Sequence, residues 1–243
     1  MRFQLAVMAV LFLTHCASPV AAPAIAQRVG ALLPTQALLL GEQHDAPSHP
    51  QAHLEAVQAL AQRDALAALV LEMAEQGRST TNLSLDASEA AVRESLGWNN
   101  KAWPWAHYRA AVMAAVRHGA PVYGGNLPRA SLRAAMADTA LDTRLDATAL
   151  TAQNEAIRLG HCNALPESQI APMTRVQVAR DVAMANALLA AAQPEKTVVL
   201  MAGAGHVDSR LGVPRHVPAN FKVATLIWPA QDTGKDYCAA FRR

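Results

Sequence analysis

Glu42 and His44 stand two residues apart in Gly41-Glu42-Gln43-His44, directly behind an apolar run, in a chain where only 16% of residues are charged. Three further stretches repeat that placement. Glu72 closes the run Ala-Leu-Ala-Ala-Leu-Val-Leu of residues 65–71, Gly124-Gly125-Asn126 follows a second run, and Gly203-Ala204-Gly205-His206 follows a third. A carboxylate at the end of such a run is partly desolvated unless a cation, a metal or a hydrogen-bond donor meets it. Two carboxylates and two imidazoles support a limited chemistry. They hold a divalent ion such as Zn, Mn or Fe through N and O atoms, or they act as base and orienting groups for a water, and either use is hydrolytic. Taken singly, each glutamate also suits a helix cap or an arginine partner, and each histidine a neutral place in the core. Recurrence at several run ends is what favours a site.

The elements that must position these groups follow from the apolar pattern. Runs at 37–40, 67–71, 121–123, 197–202 and 223–228 have the length and composition of buried strands. Between them the spacing is helical. Ser48-His49-Pro50-Gln51 fits a capping box with proline in the first turn, and Leu54, Val57, Leu60 and Ala61 then recur along one helix face. Further helices are expected over 106–118 and 174–192, with a shorter one over 128–136. This alternation predicts an α/β fold, a mostly parallel central sheet with flanking helices, in which ligands bind outside the carboxyl ends of the strands. Segments 83–105 and 141–173 break the alternation and are too long for plain connections, so they are expected to form a helical cap over one end of the sheet.

The totals leave room for this plan. With 243 residues, 52% hydrophobic but only 5% aromatic, the chain is globular in composition, and residues 34–243 are expected to form one α/β domain with helical insertions. The formal net charge of +2 comes from scattered arginines, which gives no footprint for nucleic acid. Residues 1–26 read as an export signal, since Met1-Arg2 precedes an apolar run at 5–13 that is too short for a mature membrane helix. Leu13-Thr14-His15-Cys16 resembles a lipobox that would place a lipid on Cys16, although His15 departs from its small-residue pattern. Ala22-Pro23-Ala24 and Ala24-Ile25-Ala26 offer cleavage to a free periplasmic protein instead, and residues up to about Pro34 read as signal and tether. Cys162 and Cys238 remain as an even pair, expected to form a disulfide in an oxidising compartment, with two buried thiols as the alternative.

The ordered set GEQHD at 41–45, LEM at 71–73, GGNLPR at 124–129, HC at 161–162, ARDVAMA at 179–185 and GAGHVDSRLGVPRHV at 203–217 resembles the ChaN-like haem-binding lipoproteins. That family belongs to the superfamily with the Tiki metalloproteases, TraB-type proteins and erythromycin esterases. The likeness runs from about Gln36 to Trp228. It implies an exported protein that binds haem in iron acquisition, on a scaffold whose relatives hydrolyse peptides or esters. Haem iron takes an axial Tyr, His, Met or Cys. Candidates here are Tyr108, Tyr123, Tyr237, His53, His107, His161 and His216. Tyr108 stands first because Trp103, Trp105 and Tyr108 share a segment that could meet a flat macrocycle, though ordinary aromatic packing explains them as well. Arg180 could bind a propionate or steady Glu72, or Arg180-Asp181 could be a solvated turn of helix. His49 and His53, spaced i, i+4 at a helix start, read as surface residues. The site is therefore expected to comprise Glu42, His44, Glu72 and His206, with Asn126 and Arg180 around them. Haem is the expected ligand, and two chains could share it as a homodimer. The runner-up is a metal-dependent hydrolase in which those four residues hold the ion or activate water, and the third reading is a scaffold whose site is now structural.

Overall fold

The structure, a computed structural model, describes residues 24–242. The lipobox at 13–16 and most of the expected signal lie outside the described residues. Five strands, β1 (Ala37–Glu42), β2 (Leu66–Glu75), β3 (Val122–Asn126), β4 (Thr197–Gly203) and β5 (Val223–Ile227), form an all-parallel sheet in the order β3-β2-β4-β1-β5. This is the α/β architecture that the alternation predicts. The three central strands are buried almost end to end and apolar up to their carboxyl ends because helices cover both faces.

Strand residues divide between two cores as the pleat requires. Leu38, Leu40, Leu69 and Leu71 point to the face covered by α1 (Ile25–Ala31), α2 (His49–Ala61) and α4 (Trp105–Arg117), while Leu39, Val70, Val198 and Leu200 point to α7 (Glu167–Ala191). Helix α1 falls in the stretch read as tether, yet Val29 is fully buried in the first core. The first long segment supplies α3 (Glu89–Ser95) and lays Val92, Leu96 and Trp105 on that core. The second supplies α6 (Ala147–Gly160), which with α5 (Leu132–Ala137) and the first half of α7 builds a third, smaller cluster around Leu145, Val176 and Ala179.

Two local expectations differ from what is found. Ser48 adopts a helical conformation and makes no cap bond; its hydroxyl meets the Gln231 side chain, so the helix start is fixed by the returning chain rather than by a capping box. Helix α7 begins seven residues before Thr174 and contains Pro172, which near a helix start costs one hydrogen bond without ending the helix. Cys162 and Cys238 are joined in a disulfide that ties the chain after β5 to the turn before α7. No described helix is long and apolar enough to cross a membrane.

Candidate functional site

Glu42 is the last residue of β1 and faces Gly203, the last of β4, across the parallel register. Glu72 does not end its strand as the apolar run suggests. β2 continues to Glu75, and its pairing with β3 slips between Leu71 and Glu75, an irregularity that re-aims the chain at this carboxylate. His44 and His206 follow β1 and β4 by two and three residues, so all four groups meet at the carboxyl ends of the three central strands. Gly203 is a close-approach position, since a Cβ there would lie 2.9 Å from His44 Nε2.

The contacts form one chain of alternating charge. His44 Nδ1 lies 2.7 Å from Glu42 Oε1, which also accepts the Tyr108 hydroxyl at 2.8 Å. His44 Nε2 is 3.8 Å from Glu72 Oε2, and that oxygen accepts the Gly203 N–H at 2.7 Å. His206 closes the chain, with Nε2 3.5 Å from Glu72 Oε1 and Nδ1 2.6 Å from Asp181 Oδ1. Glu42, Glu72, Asp181, His53 and His206 are buried, whereas 38% of the His44 side chain is exposed and its ring meets Trp103 edge-on at 4.8 Å. His44 is the member a ligand can touch.

Protonation follows from the same neighbours. Burial opposes a charge on His206, but Glu72 and Asp181 on either side outweigh it and hold the imidazolium up to about 10. Burial likewise opposes the Glu72 charge, yet His206, His44 and the Gly203 N–H bring it down to about 2. Asp181 rises to about 6 because its burial exceeds what His206 returns. For His44, burial is outweighed by Glu42 and Glu72, and its pKa is raised. His53 lies 3.3 Å from Glu42 Oε2 without hydrogen-bonding it, and burial takes it down to about 4, so it is neutral.

Other expected residues are placed differently. Tyr108 is buried behind Glu42 and its hydroxyl is committed to that carboxylate, so it does not face a cavity. Trp105 is also buried, donating to Glu89 at 2.9 Å. His161 caps α6, takes Nδ1 to the Ile157 carbonyl at 2.8 Å and packs on Phe241 beside the disulfide, away from the cluster. Asn126 donates to the Glu72 carbonyl at 2.8 Å. Arg180 makes no pair with Glu72, although both line one cavity. His49 and His53 are buried rather than on the surface: His49 accepts the Gln43 N–H at 3.1 Å and reaches the Pro229 carbonyl at 3.1 Å. A ring that ties two loops together in this way has no need of solvent.

Asp181 and Gln177 are the members that sequence reasoning did not select, while His53 and Tyr237 entered it only among the axial-ligand candidates. Asp181 had a signal, for it falls in helical step with Val178 and Ala185, both buried. The cluster opens into a cavity of about 570 Å3 lined by Glu42, His44, Asp45, Gln177, His206 and Tyr237. Among the described residues no group of three or more His, Cys, Asp and Glu is arranged to hold a metal ion.

Comparison with curated proteins finds no match. Among solved structures the fold is similar to one described as "Cofacial heme binding to ChaN of Campylobacter jejuni", with a TM-score of 0.64 and 20% identity over 87% of this chain and 88% of that one. At that identity the likeness is one of fold. Residues 29–217 match the model of a family described as haem-binding uptake, Tiki superfamily, ChaN. With the matched segment taking in every member of the cluster except Tyr237, the chain belongs to that family.

Proposed function

We propose that this protein binds haem in iron uptake, with the ligand seated at the carboxyl ends of the strands. The observation that carries the reading is the cavity beside His44, in which one half-exposed imidazole stands against Trp103 at the rim of an otherwise buried cluster. Membership of a haem-binding uptake family, and the cofacial haem binding of the Campylobacter jejuni ChaN that shares the fold, support haem as the ligand. The residues present suit it. Glu42 holds His44 Nδ1, an arrangement that orients an imidazole and leaves Nε2 for an iron. Tyr237, 57% exposed, lines the same cavity with its hydroxyl 3.0 Å from Asp45, so it replaces Tyr108 as the tyrosine candidate. Haem bound there would supply an iron that takes a histidine or tyrosine side chain, and His44 or Tyr237 would hold it.

Hemin titration of the purified protein tests this. A saturable Soret shift at a defined stoichiometry is expected, altered in position by His44→Ala or Tyr237→Phe. Absence of a saturable change would sink the reading. Sedimentation with and without hemin checks whether two copies share the ligand.

The disulfide suits an oxidising compartment, and we read the protein as exported, either free in the periplasm or held by a lipid on Cys16. Mass spectrometry of the mature N-terminus separates the two. Hydrolysis is the second reading, favoured by the His44–Glu42 pair, in which a carboxylate orients an accessible imidazole as a general base. The side chains as they stand form no three-ligand set for a divalent ion among the described residues, so the reading rests on the imidazole and its carboxylate. Ester and peptide substrates, with and without added metal, test that reading, and any activity must vanish in Glu42→Ala.

A further inference from the structure

A second cavity, of about 320 Å3, lies behind Glu72 and is lined by Arg78, Arg129 and Arg180 together with Trp103, Asn126 and Glu75. None of these three arginines is among the guanidinium–carboxylate pairs formed by the described residues. Arg180 Nε is buried without a hydrogen-bond partner, and so is Asn126 Oδ1. Buried donors on a guanidinium are costly to leave unmet, so the chamber has room and unspent hydrogen bonds together. The two carboxylates on its wall are both engaged elsewhere: Glu72 takes the Gly203 N–H and faces His206, and Glu75 Oε1 accepts the Arg129 backbone N–H at 3.1 Å.

The chamber adjoins the cavity at His44. Glu72 lines both, Trp103 lines the chamber while its ring meets His44, and Gln177 of one cavity and Arg180 of the other lie i, i+3 on one face of α7, a rise of about 4.5 Å. A single ligand resting on His44 can therefore reach the arginines. We infer that the chamber is a carboxylate subsite, in which Arg180, Arg129 and Arg78 receive the acid side chains of the ligand held at His44; on the haem reading, from which this follows, those are the porphyrin propionates. Guanidinium donors match a carboxylate in a fork geometry, and water entering with the anion satisfies Asn126 Oδ1.

The test compares hemin with hemin dimethyl ester, which keeps the macrocycle and lacks the charges. Wild-type protein is expected to bind hemin at least about tenfold more tightly than the ester, and Arg180→Gln and Arg129→Gln to bring that ratio toward one. Arg129 is exposed and its side chain makes no hydrogen bond among the described residues, so its replacement spares the fold. A ratio unchanged in both variants, or near one in wild type, overturns the subsite. Should neither porphyrin give a saturable Soret change, the haem reading fails by itself. The chamber is then judged on the melting temperature of the apoprotein with succinate and with inorganic phosphate. A rise with succinate that Arg180→Gln abolishes upholds it; no rise, or a rise with phosphate alone, refutes it.

Discussion

His206 sits between two carboxylates that cannot both be discharged without leaving a buried charge alone. Asp181→Asn keeps the shape of the pair and removes the counter-charge 2.6 Å from Nδ1, so the imidazole pKa should drop from its raised value, measured by NMR titration, and the protein should lose about 3 kcal/mol in urea unfolding. A normal imidazole titration in the wild type would contradict the pairing. His216 is a separate case. It is half-buried, its Nε2 has no partner, and burial with the nearby Arg144 and Arg215 lowers its pKa to about 4. The unfolded chain takes up this proton near pH 6.5 and the folded one does not until about pH 4. Stability from this group is therefore whole above about pH 6.5 and falls as pH drops toward 4. His216→Gln should flatten that part of the pH–stability curve by about 1 kcal/mol, discounted for partial exposure. Glu42, His44, Glu72 and His206 were legible because polar groups ending apolar runs stand out against the period of the strand. Asp181 and His53 were not placed in the cluster: Asp181 keeps helical step with apolar neighbours and His53 was named only as an axial candidate, yet a single ionisable residue on a helix face looks the same whether that face meets water or a counter-charge.

At the scale of elements, the five strands could be read from their apolar runs, since a sheet covered on both faces leaves no other pattern. Contacts made after the chain returns from a distance could not be. Ser48 meeting Gln231, and His49 reaching Pro229, depend on a tail that the local sequence does not mention. That tail carries Tyr237 to the cavity rim and is pinned by Cys238 to Cys162. With a sequence separation of 76 between the cysteines, loop entropy sets an upper bound of about 4.5 kcal/mol for the bridge. Because the tail is mostly exposed, Cys238→Ser should cost well under that bound, yet quicken proteolysis after Trp228, as limited digestion under non-reducing conditions would show. The loop after His206 is tighter. A Cβ on Gly212 would lie 2.1 Å from the His206 carbonyl oxygen, which accepts the Val213 N–H at 2.8 Å. Gly212→Ala must displace His206, and hemin titration should show weakened or altered binding even where the variant still folds.

For the molecule as a whole, the cluster is a cost that the rest of the fold carries. Two apolar cores cover the sheet on both faces, and at its carboxyl end the same layers bury Glu42, Glu72, Asp181 and His206 where hydrocarbon would pack equally well. Desolvating such charges commonly takes back what their attraction returns. If the network is retained for ligand chemistry, removing it together should harm stability less than breaking it one member at a time. Glu72→Gln and Asp181→Asn alone should each lower the urea midpoint by leaving His206 partly unpaired. The triple variant Glu72→Met, Asp181→Leu and His206→Met should recover to the wild-type midpoint or pass it, with hemin binding lost. A triple variant less stable than either single one would mean that the network holds the sheet end together, and the scaffold reading would then displace the functional one.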